Sequence, residues 1–164
     1  MSDDFSPAEY RAHLARLLGF YEPLESALAR SAGDVRPPLL RSRFLIADLL
    51  QLGLTLEQIC ALPRCELPSI ASPGAFGALY VYEGAALGGQ VIARRLQRFF
   101  RSERGFAFYR CDALGTRDRW IAFCNSINAA AAENQAAICD AALAVFDAFC
   151  QWFEREDDRT AGDV

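Results

Sequence analysis

Apolar residues that recur at helical spacing constrain the fold of this chain more than any other feature. Residues three and four apart share one face of a helix, and one such apolar stripe runs through the first part of the chain. The stripe consists of Tyr10, Leu14, Leu17, Leu18, Tyr21, Leu24 and Leu28. Ser6-Pro7-Ala8-Glu9 precedes it and combines an N-cap serine, a proline at the first helical position and a capping-box glutamate. The sequence therefore predicts a helix that begins directly after Ser6.

Helix signals continue through most of the remaining chain, and no segment alternates with a period of two. Glycine and proline mark the boundaries, as at Gly33, Pro37-Pro38, Gly53 and Pro63. The further predicted segments are helices over 39–52, 55–62, 74–102, 116–132 and 133–157, with a proline-containing loop over 63–74. We expect an all-α single domain, a helical bundle over residues 1–157, followed by a polar tail at 158–164.

Composition removes several kinds of chemistry from consideration. The 164 residues include a single histidine, His13, and all 17 basic residues are arginine, so no lysine is present for a Schiff base or a P-loop. One histidine excludes a paired-histidine metal site within the chain, and we predict no metal site. The net charge of -4 argues against nucleic-acid binding.

Neither a secretory signal nor a membrane helix is evident in the sequence. The N-terminus is acidic, and no uninterrupted apolar run reaches the roughly 18 residues that a membrane helix needs. We therefore expect a cytoplasmic protein without a membrane partner. The 6 cysteines contain no Cys-x-x-Cys pair, which predicts reduced, structural thiols.

Three glycines stand close together inside the predicted helix over 74–102, at Gly84, Gly88 and Gly89. Each interior glycine destabilises a helix by about 1 kcal/mol relative to alanine, so a compensating gain is expected. A missing Cβ lets the helix backbone approach a flat ligand or another helix, and it also permits a bend. Spacing alone does not separate ligand approach from tight helix packing.

The run Ala78-Leu79-Tyr80-Val81-Tyr82-Glu83-Gly84-Ala85-Ala86-Leu87-Gly88-Gly89-Gln90-Val91-Ile92 resembles the distal-helix motif of the haem oxygenases. It is most similar to the bacterial, biliverdin-producing branch that supplies bacteriophytochromes. Residues 10–28 resemble that family's second helix, 116–123 its penultimate helix and 146–153 its last. The resemblance implies a haem oxygenase fold and oxidative opening of haem to biliverdin, with release of CO and iron. Haem would be substrate and cofactor, and a reductase or ferredoxin would supply electrons.

The same resemblance implies which residues surround the haem. Gly84, Ala85, Gly88 and Gly89 would lie over one haem face, where the backbone leaves room for oxygen and ordered water. Ala85 stands where many family members have an acidic or hydroxyl side chain, so it offers only its backbone. Arg119 is the candidate for contact with a haem propionate. No residue is assigned as catalytic.

The family's first helix, which carries the proximal histidine, has no counterpart ahead of the matched second helix, so we expect this chain to lack it. His13 lies at the edge of the apolar stripe, where we predict a boundary residue and not the iron ligand. Three explanations stay open: an upstream start, a real deletion, or a ligand from a cysteine, a tyrosine or a partner's histidine. The alternative function is a non-catalytic, haem oxygenase-like binding or interaction protein. A missing helix also predicts an open apolar face and self-association or a partner there.

Several further side chains have a predicted role. One segment holds five arginines and a single acid, which indicates either a solvated helix face or a docking patch for an acidic electron donor. These are Arg94, Arg95, Arg98, Arg101 and Arg104. We predict a structural salt bridge for Glu83. We predict a core position for five aromatic side chains, namely Trp120, Phe123, Phe146, Phe149 and Trp152.

Overall fold

The computed structural model describes residues 6–31, 39–100, 104–111 and 116–154, and within these ranges the regular structure is entirely helical. The prediction of an all-α single domain is confirmed. Gly33, the Pro37-Pro38 pair, Arg101 and the tail at 158–164 lie outside the described residues. The helices are α1 (Pro7–Arg30), α2 (Ser42–Gln51), α3 (Leu56–Cys60), α4 (Ala75–Gly84), α5 (Ala86–Phe100), α6 (Ala107–Arg110) and α7 (Thr116–Glu154).

Helix α1 begins where the capping signals place it. The Ser6 hydroxyl accepts from the Glu9 amide, and the Glu9 carboxylate accepts from the Ser6 amide, as the capping box predicts. Pro23 lies inside α1 and has no amide hydrogen, so the carbonyl of Gly19 lacks its helical donor. The amide of Cys65 donates to that carbonyl at 2.8 Å and thereby holds the 63–74 loop against the helix.

The core lies between the apolar stripe of α1 and the faces of α2, α4, α6 and α7 that meet it. All seven stripe residues named above are buried. Helices α4 and α7 approach each other through small residues: a Cβ added at Gly77 would lie 2.0 Å from the Ile138 carbonyl oxygen and 2.8 Å from the Ala142 nitrogen. Gly77 is therefore a packing glycine, and this close contact fixes α4 against α7.

Helix α7 contains a break at Asn134, whose φ of -132° and ψ of 18° are not helical. The boundary predicted between 132 and 133 is therefore confirmed to within two residues. In the described chain, the segment Trp120–Glu154 is long and apolar enough to cross a membrane by length and composition, and only 11% of its most apolar window is buried. Glu133, Asp140 and Asp147 lie within the segment, and a single helix of this kind is weak evidence for a membrane span.

Two features of the helices differ from the sequence prediction. The segment predicted as one helix over 74–102 is divided at Ala85, between the end of α4 and the start of α5. The four-residue helix α6 was not predicted. Both Asp48 carboxylate oxygens accept from the first turn of α6, from the amides of Ala107 and Phe108, each at 2.8 Å. A side chain of α2 thus provides the N-terminal cap of α6.

Candidate functional site

The described residues form a cavity of about 410 Å³ between α1, α4 and α7, and Gly84 at the end of α4 and Ala85 at the break form part of its wall. Cavities of roughly 300–1,000 Å³ are typical of small-molecule and cofactor sites. Most of the lining side chains are aromatic. The lining consists of Phe20, Tyr21, Tyr80, Val81, Tyr82, Gly84, Ala85, Trp120, Phe146 and Phe149.

Aromatic side chains pack against one another around the cavity and hold its shape. Phe20 meets Phe149 edge-on with ring centroids 5.0 Å apart, and Tyr80 meets Trp120 at 5.5 Å. Such contacts add about 0.5–1.5 kcal/mol per pair beyond the burial of their area. Tyr80 is 47% exposed and Phe146 is 55% exposed, so the cavity opens to solvent on their side. The prediction that Phe146 is a core residue is therefore wrong, because its ring borders this opening.

Gly84 differs from Gly77 in what faces its missing side chain. A Cβ added at Gly84 would meet only the Trp120 ring, at 3.8 Å, which is an ordinary van der Waals distance. Packing against α7 therefore explains Gly77, whereas no described neighbour requires a glycine at position 84. Because an alanine at position 84 would fit beside Trp120, the glycine leaves space on the cavity side of α4.

A buried polar network holds the end of α4 just before this glycine. The Arg41 guanidinium donates to the Tyr82 carbonyl and to the Glu83 carboxylate, the latter at 3.3 Å, and it lies 4.2 Å from the centroid of the Tyr82 ring. The salt bridge predicted for Glu83 is thus confirmed, with Arg41 as its partner. The contact fixes the carbonyl end of α4 where the helix breaks.

Glu25 of α1 completes the same network. Its carboxylate accepts from the Tyr82 hydroxyl at 2.7 Å and from the Arg41 and Ser42 amides at 2.6 and 3.0 Å. The Ser42 hydroxyl also donates to it. Burial, and next the Glu25 carboxylate, raise the pKa of Tyr82, so its hydroxyl stays protonated and donates. The network therefore ties α1, α2 and α4 together beside the cavity.

Comparison with known families identifies this arrangement. The family model described as Heme oxygenase matches residues 1–155 of the chain. This chain belongs to the haem oxygenase family. Searches of curated proteins and of solved structures each gave no match. Membership implies that haem is bound or used as a substrate, and it agrees with the all-helical fold.

The glycine-motif residues of this haem oxygenase family member fall on both sides of the α4 break. Gly84 and Ala85 line the cavity, and Ala85 is exposed. The backbone of Gly88 and Gly89 lies in α5, and what surrounds these two residues lies outside the described structure. The side chain of Arg119 also lies outside it, although its backbone belongs to α7. The roles assigned to these four positions and to Arg119 stay predictions.

The cavity lining suits a flat, apolar ring but provides no usual iron ligand other than tyrosine. Aromatic side chains and glycine backbone fit a porphyrin plane, whereas none of the described lining residues is histidine, cysteine or methionine. Among the described residues, no group of three or more His, Cys, Asp or Glu side chains is arranged to hold a metal ion. The described lining thus fits the ring of haem, and tyrosine is the only side-chain type in it that is known to ligate haem iron.

His13 lies away from the cavity lining. It is half-buried, as predicted for a boundary residue, and its Nε2 lies 2.7 Å from the Tyr109 hydroxyl. Burial lowers the pKa of His13, which favours the neutral imidazole at neutral pH. The 6 cysteines are free thiols, and none of them lines the cavity.

Sequence reasoning missed Arg41, Glu25 and Tyr82 as supports of the glycine motif. Tyr82 and Glu83 lie inside the recognised motif, so the sequence alone places them next to Gly84. Nothing local marks Arg41 or Glu25, because each meets the motif only through the tertiary fold. Two other members of the predicted aromatic core, Trp120 and Phe149, are half-buried and face the cavity, while Phe123 is buried.

Proposed function

We propose that this chain binds haem in the aromatic cavity between α1, α4 and α7 and opens it oxidatively to biliverdin, with release of CO and iron. The observation that carries the proposal is Gly84, a helical glycine that lines an aromatic cavity and whose missing side chain faces, among the described residues, only the Trp120 ring at van der Waals distance. Family membership supplies haem as the ligand class. The size of the cavity and its aromatic lining suit such a ligand.

In this proposal the chain orients the ring and shields it from water. Tyr21, Trp120 and Phe149 line the cavity and would hold the porphyrin through contacts with their rings. The backbone of Gly84 and Ala85 gives close approach without a polar side chain. Arg41 keeps the end of α4 in place through the Tyr82 carbonyl and Glu83. The iron of bound haem supplies the oxygen chemistry.

The iron ligand is the part of this proposal for which the cavity lining offers only tyrosine. Of the lining residues, only Tyr21, Tyr80 and Tyr82 carry a side-chain oxygen, and the Tyr82 hydroxyl is hydrogen-bonded to Glu25. Turnover therefore depends on Tyr21 or Tyr80 as the iron ligand, or on a ligand from outside the described lining, such as a histidine of a partner. This requirement separates haem binding, which the lining supports, from haem cleavage.

The second candidate function is haem binding without turnover. Two observations favour it: His13 lies outside the cavity with its Nε2 beside the Tyr109 hydroxyl, and Ala85 has no side-chain oxygen to hold a water near bound oxygen. In this alternative the chain would carry or sense haem. The absence of an acidic or hydroxyl group at position 85 would then cause no loss.

An acidic electron donor, a reductase or a ferredoxin, is proposed to dock on α5. Arg94, Arg95 and Arg98 are exposed on this helix, and α5 continues directly from the α4 break at the cavity. Clustered positive charge steers an acidic partner and is screened by salt. Arg119, whose side chain lies outside the described residues, is retained as the candidate for a haem propionate.

Haem titration of the full chain tests the proposal and separates its two forms. We expect saturable binding with a defined Soret band, and ascorbate-driven biliverdin formation once free imidazole is added as an external iron ligand. Binding that never yields biliverdin, with or without imidazole, would support the second candidate. A featureless, non-saturating titration would refute both.

Two substitutions on α7 provide a matched comparison for this titration. Phe146 lines the cavity opening, while Leu143 is 61% exposed on the same helix and does not line it. A charge at position 146 would face the apolar ring, so Phe146→Glu should raise the haem Kd by about tenfold or more, which corresponds to about 1.4 kcal/mol. Leu143→Glu should leave the Kd unchanged. Equal effects of the two substitutions would place the haem elsewhere.

A further inference from the structure

The contact between Tyr109 and His13 joins a buried phenol to an imidazole outside the proposed haem-binding machinery. The Tyr109 hydroxyl oxygen lies 2.7 Å from His13 Nε2, and the two ring planes are within 3° of parallel. Tyr109 is only 7% exposed. With the His13 proton on Nδ1, Nε2 accepts the hydrogen bond from the phenol. This places a base in direct contact with a tyrosine that has little access to water.

A base in contact with a buried phenol matters because a tyrosine that loses an electron becomes a strong acid and must release its proton. Burial raises the pKa of Tyr109 and lowers the pKa of His13, so at neutral pH the ground state is a protonated phenol beside a neutral imidazole. The proton then has only the length of one hydrogen bond to travel. The imidazole gains a full positive charge when it takes the proton.

Both members of the pair are connected to the cavity by contiguous aromatic rings. Tyr21 lines the cavity and packs edge-on against Phe108, with centroids 5.3 Å apart, and Phe108 packs against Tyr109 at 4.9 Å. On the other side, Phe149 lines the cavity and packs against Phe153 at 4.5 Å, and Phe153 lies 6.1 Å from the His13 ring. Two routes of edge-on and tilted rings thus lead from the cavity to the pair.

From this arrangement we infer that Tyr109 and His13 form a redox-active pair that accepts one-electron oxidising equivalents from the cavity. In this step Tyr109 loses one electron to the oxidant and its hydroxyl proton moves to His13 Nε2, which gives a neutral tyrosyl radical and an imidazolium. The oxidant gains the electron, so charge and protons balance. The oxidant in the protein would be haem treated with a peroxide, and only this source rests on the proposed function.

Two other tyrosines of the described chain meet different acceptors. The Tyr10 hydroxyl donates to the Gly105 carbonyl at 2.7 Å, and an amide carbonyl is too weak a base to take the proton. The Tyr82 hydroxyl meets the Glu25 carboxylate, which also accepts from the Arg41 and Ser42 amides. Tyr109 is the tyrosine whose proton can pass to an imidazole.

Photo-oxidation of the full chain without haem tests the pair independently of haem binding. A ruthenium tris-bipyridine complex with a cobalt(III) quencher supplies the one-electron oxidant, and freeze-quench electron paramagnetic resonance detects the radical. We expect a tyrosyl signal that Tyr109→Phe removes and that Tyr10→Phe retains. His13→Gln keeps a hydrogen-bond acceptor but removes the base, so the radical yield should fall at least tenfold. A signal that persists in Tyr109→Phe, or that His13→Gln leaves unchanged, would overturn the inference.

Repeating the measurement with haem and hydrogen peroxide examines the source of the oxidant. A Tyr109 signal in this second experiment supports haem in the cavity as that source. A signal with ruthenium but none with haem would uphold the pair and refute the cavity as the place where haem binds. Both variants should first be checked for native helicity by circular dichroism, since each removes one partner of a buried contact.

Discussion

Replacing Gly77 and Gly84 by alanine, one at a time, separates packing from ligand approach within a single helix. At Gly77 the added methyl would lie 2.0 Å from a backbone oxygen of α7, so the two helices must move apart. Overpacking of this kind costs about 1–3 kcal/mol, and the gain in helix propensity returns about 1 kcal/mol at most. The contact is with backbone, which cannot rotate away as a side chain can, so we take the upper end of the overpacking cost. We therefore expect Gly77→Ala to lower the free energy of unfolding by about 2 kcal/mol.

At Gly84 the expected effect of alanine on stability has the opposite sign. The nearest atoms to an added methyl belong to the Trp120 ring at 3.8 Å, so no atom needs to move. The substitution should leave the free energy of unfolding unchanged or raise it by up to about 1 kcal/mol through helix propensity. The methyl would, however, stand where the proposed haem approaches α4. We expect haem affinity to fall by about tenfold, which corresponds to about 1.4 kcal/mol.

Urea unfolding followed by far-ultraviolet circular dichroism measures the first quantity, and haem titration measures the second. For a chain of this length, a loss of about 2 kcal/mol corresponds to a melting temperature about 4–8 °C lower. We expect Gly77→Ala to be less stable than the native chain but to keep its haem affinity in the folded fraction. We expect Gly84→Ala to keep its stability and to bind haem more weakly. If Gly84→Ala lost as much stability as Gly77→Ala, both glycines would serve packing.

Three further predictions concern the polar interior. Asp48→Ala removes the acceptor of two α6 amides and should lose about 3 kcal/mol in urea unfolding, since each unsatisfied buried donor costs about 1–3 kcal/mol, whereas Asp147→Ala on the exposed side of α7 should lose nothing. Arg41→Met breaks a buried ion pair and should lose about 3–5 kcal/mol by the same measurement, with Arg43→Met, which is exposed, as the unchanged control. His13 has a pKa below its ordinary 6.5 in the folded state, so the unfolded chain binds more protons. Its contribution to stability is therefore complete above pH 6.5 and is lost as the pH falls through the folded pKa. Urea midpoints between pH 7.5 and 5 should drop more steeply for the native chain than for His13→Gln, and equal slopes would contradict the direction of the shift.

Long periodic elements were predictable because their signal is local. The stripe of α1 and its capping box together placed the first helix, and both contributions act within a few residues. Helix α6 could not be predicted in this way, because its signals are not local. Its four residues carry too little periodic signal, and its cap comes from Asp48, some 60 residues earlier in the chain. A short helix whose cap is tertiary cannot be recognised before the fold is known.

The glycines show the same limit within one helix. The cluster with Gly88 and Gly89 makes Gly84 conspicuous in the sequence, whereas Gly77 stands by itself between Phe76 and Ala78. The structure reverses the order of their packing importance, since Gly77 faces a backbone carbonyl and Gly84 faces open space beside a ring. What a glycine contributes depends on the atoms opposite its missing side chain, and those atoms belong to α7, which is distant in sequence.

The position of the only histidine links the two proposals. For His13 to reach the cavity it would have to leave the Tyr109 hydroxyl and pass Phe153 and Phe149, whose rings pack 4.5 Å apart between it and the opening. An iron ligand and a proton acceptor for Tyr109 also make opposite demands on Nε2, because a nitrogen bound to a metal has no lone pair left for the phenol proton. The contact with Tyr109 therefore assigns the imidazole to the second task. In the proposed function the iron ligand therefore comes from a tyrosine of the lining or from outside the described lining, while His13 remains the proton acceptor for Tyr109.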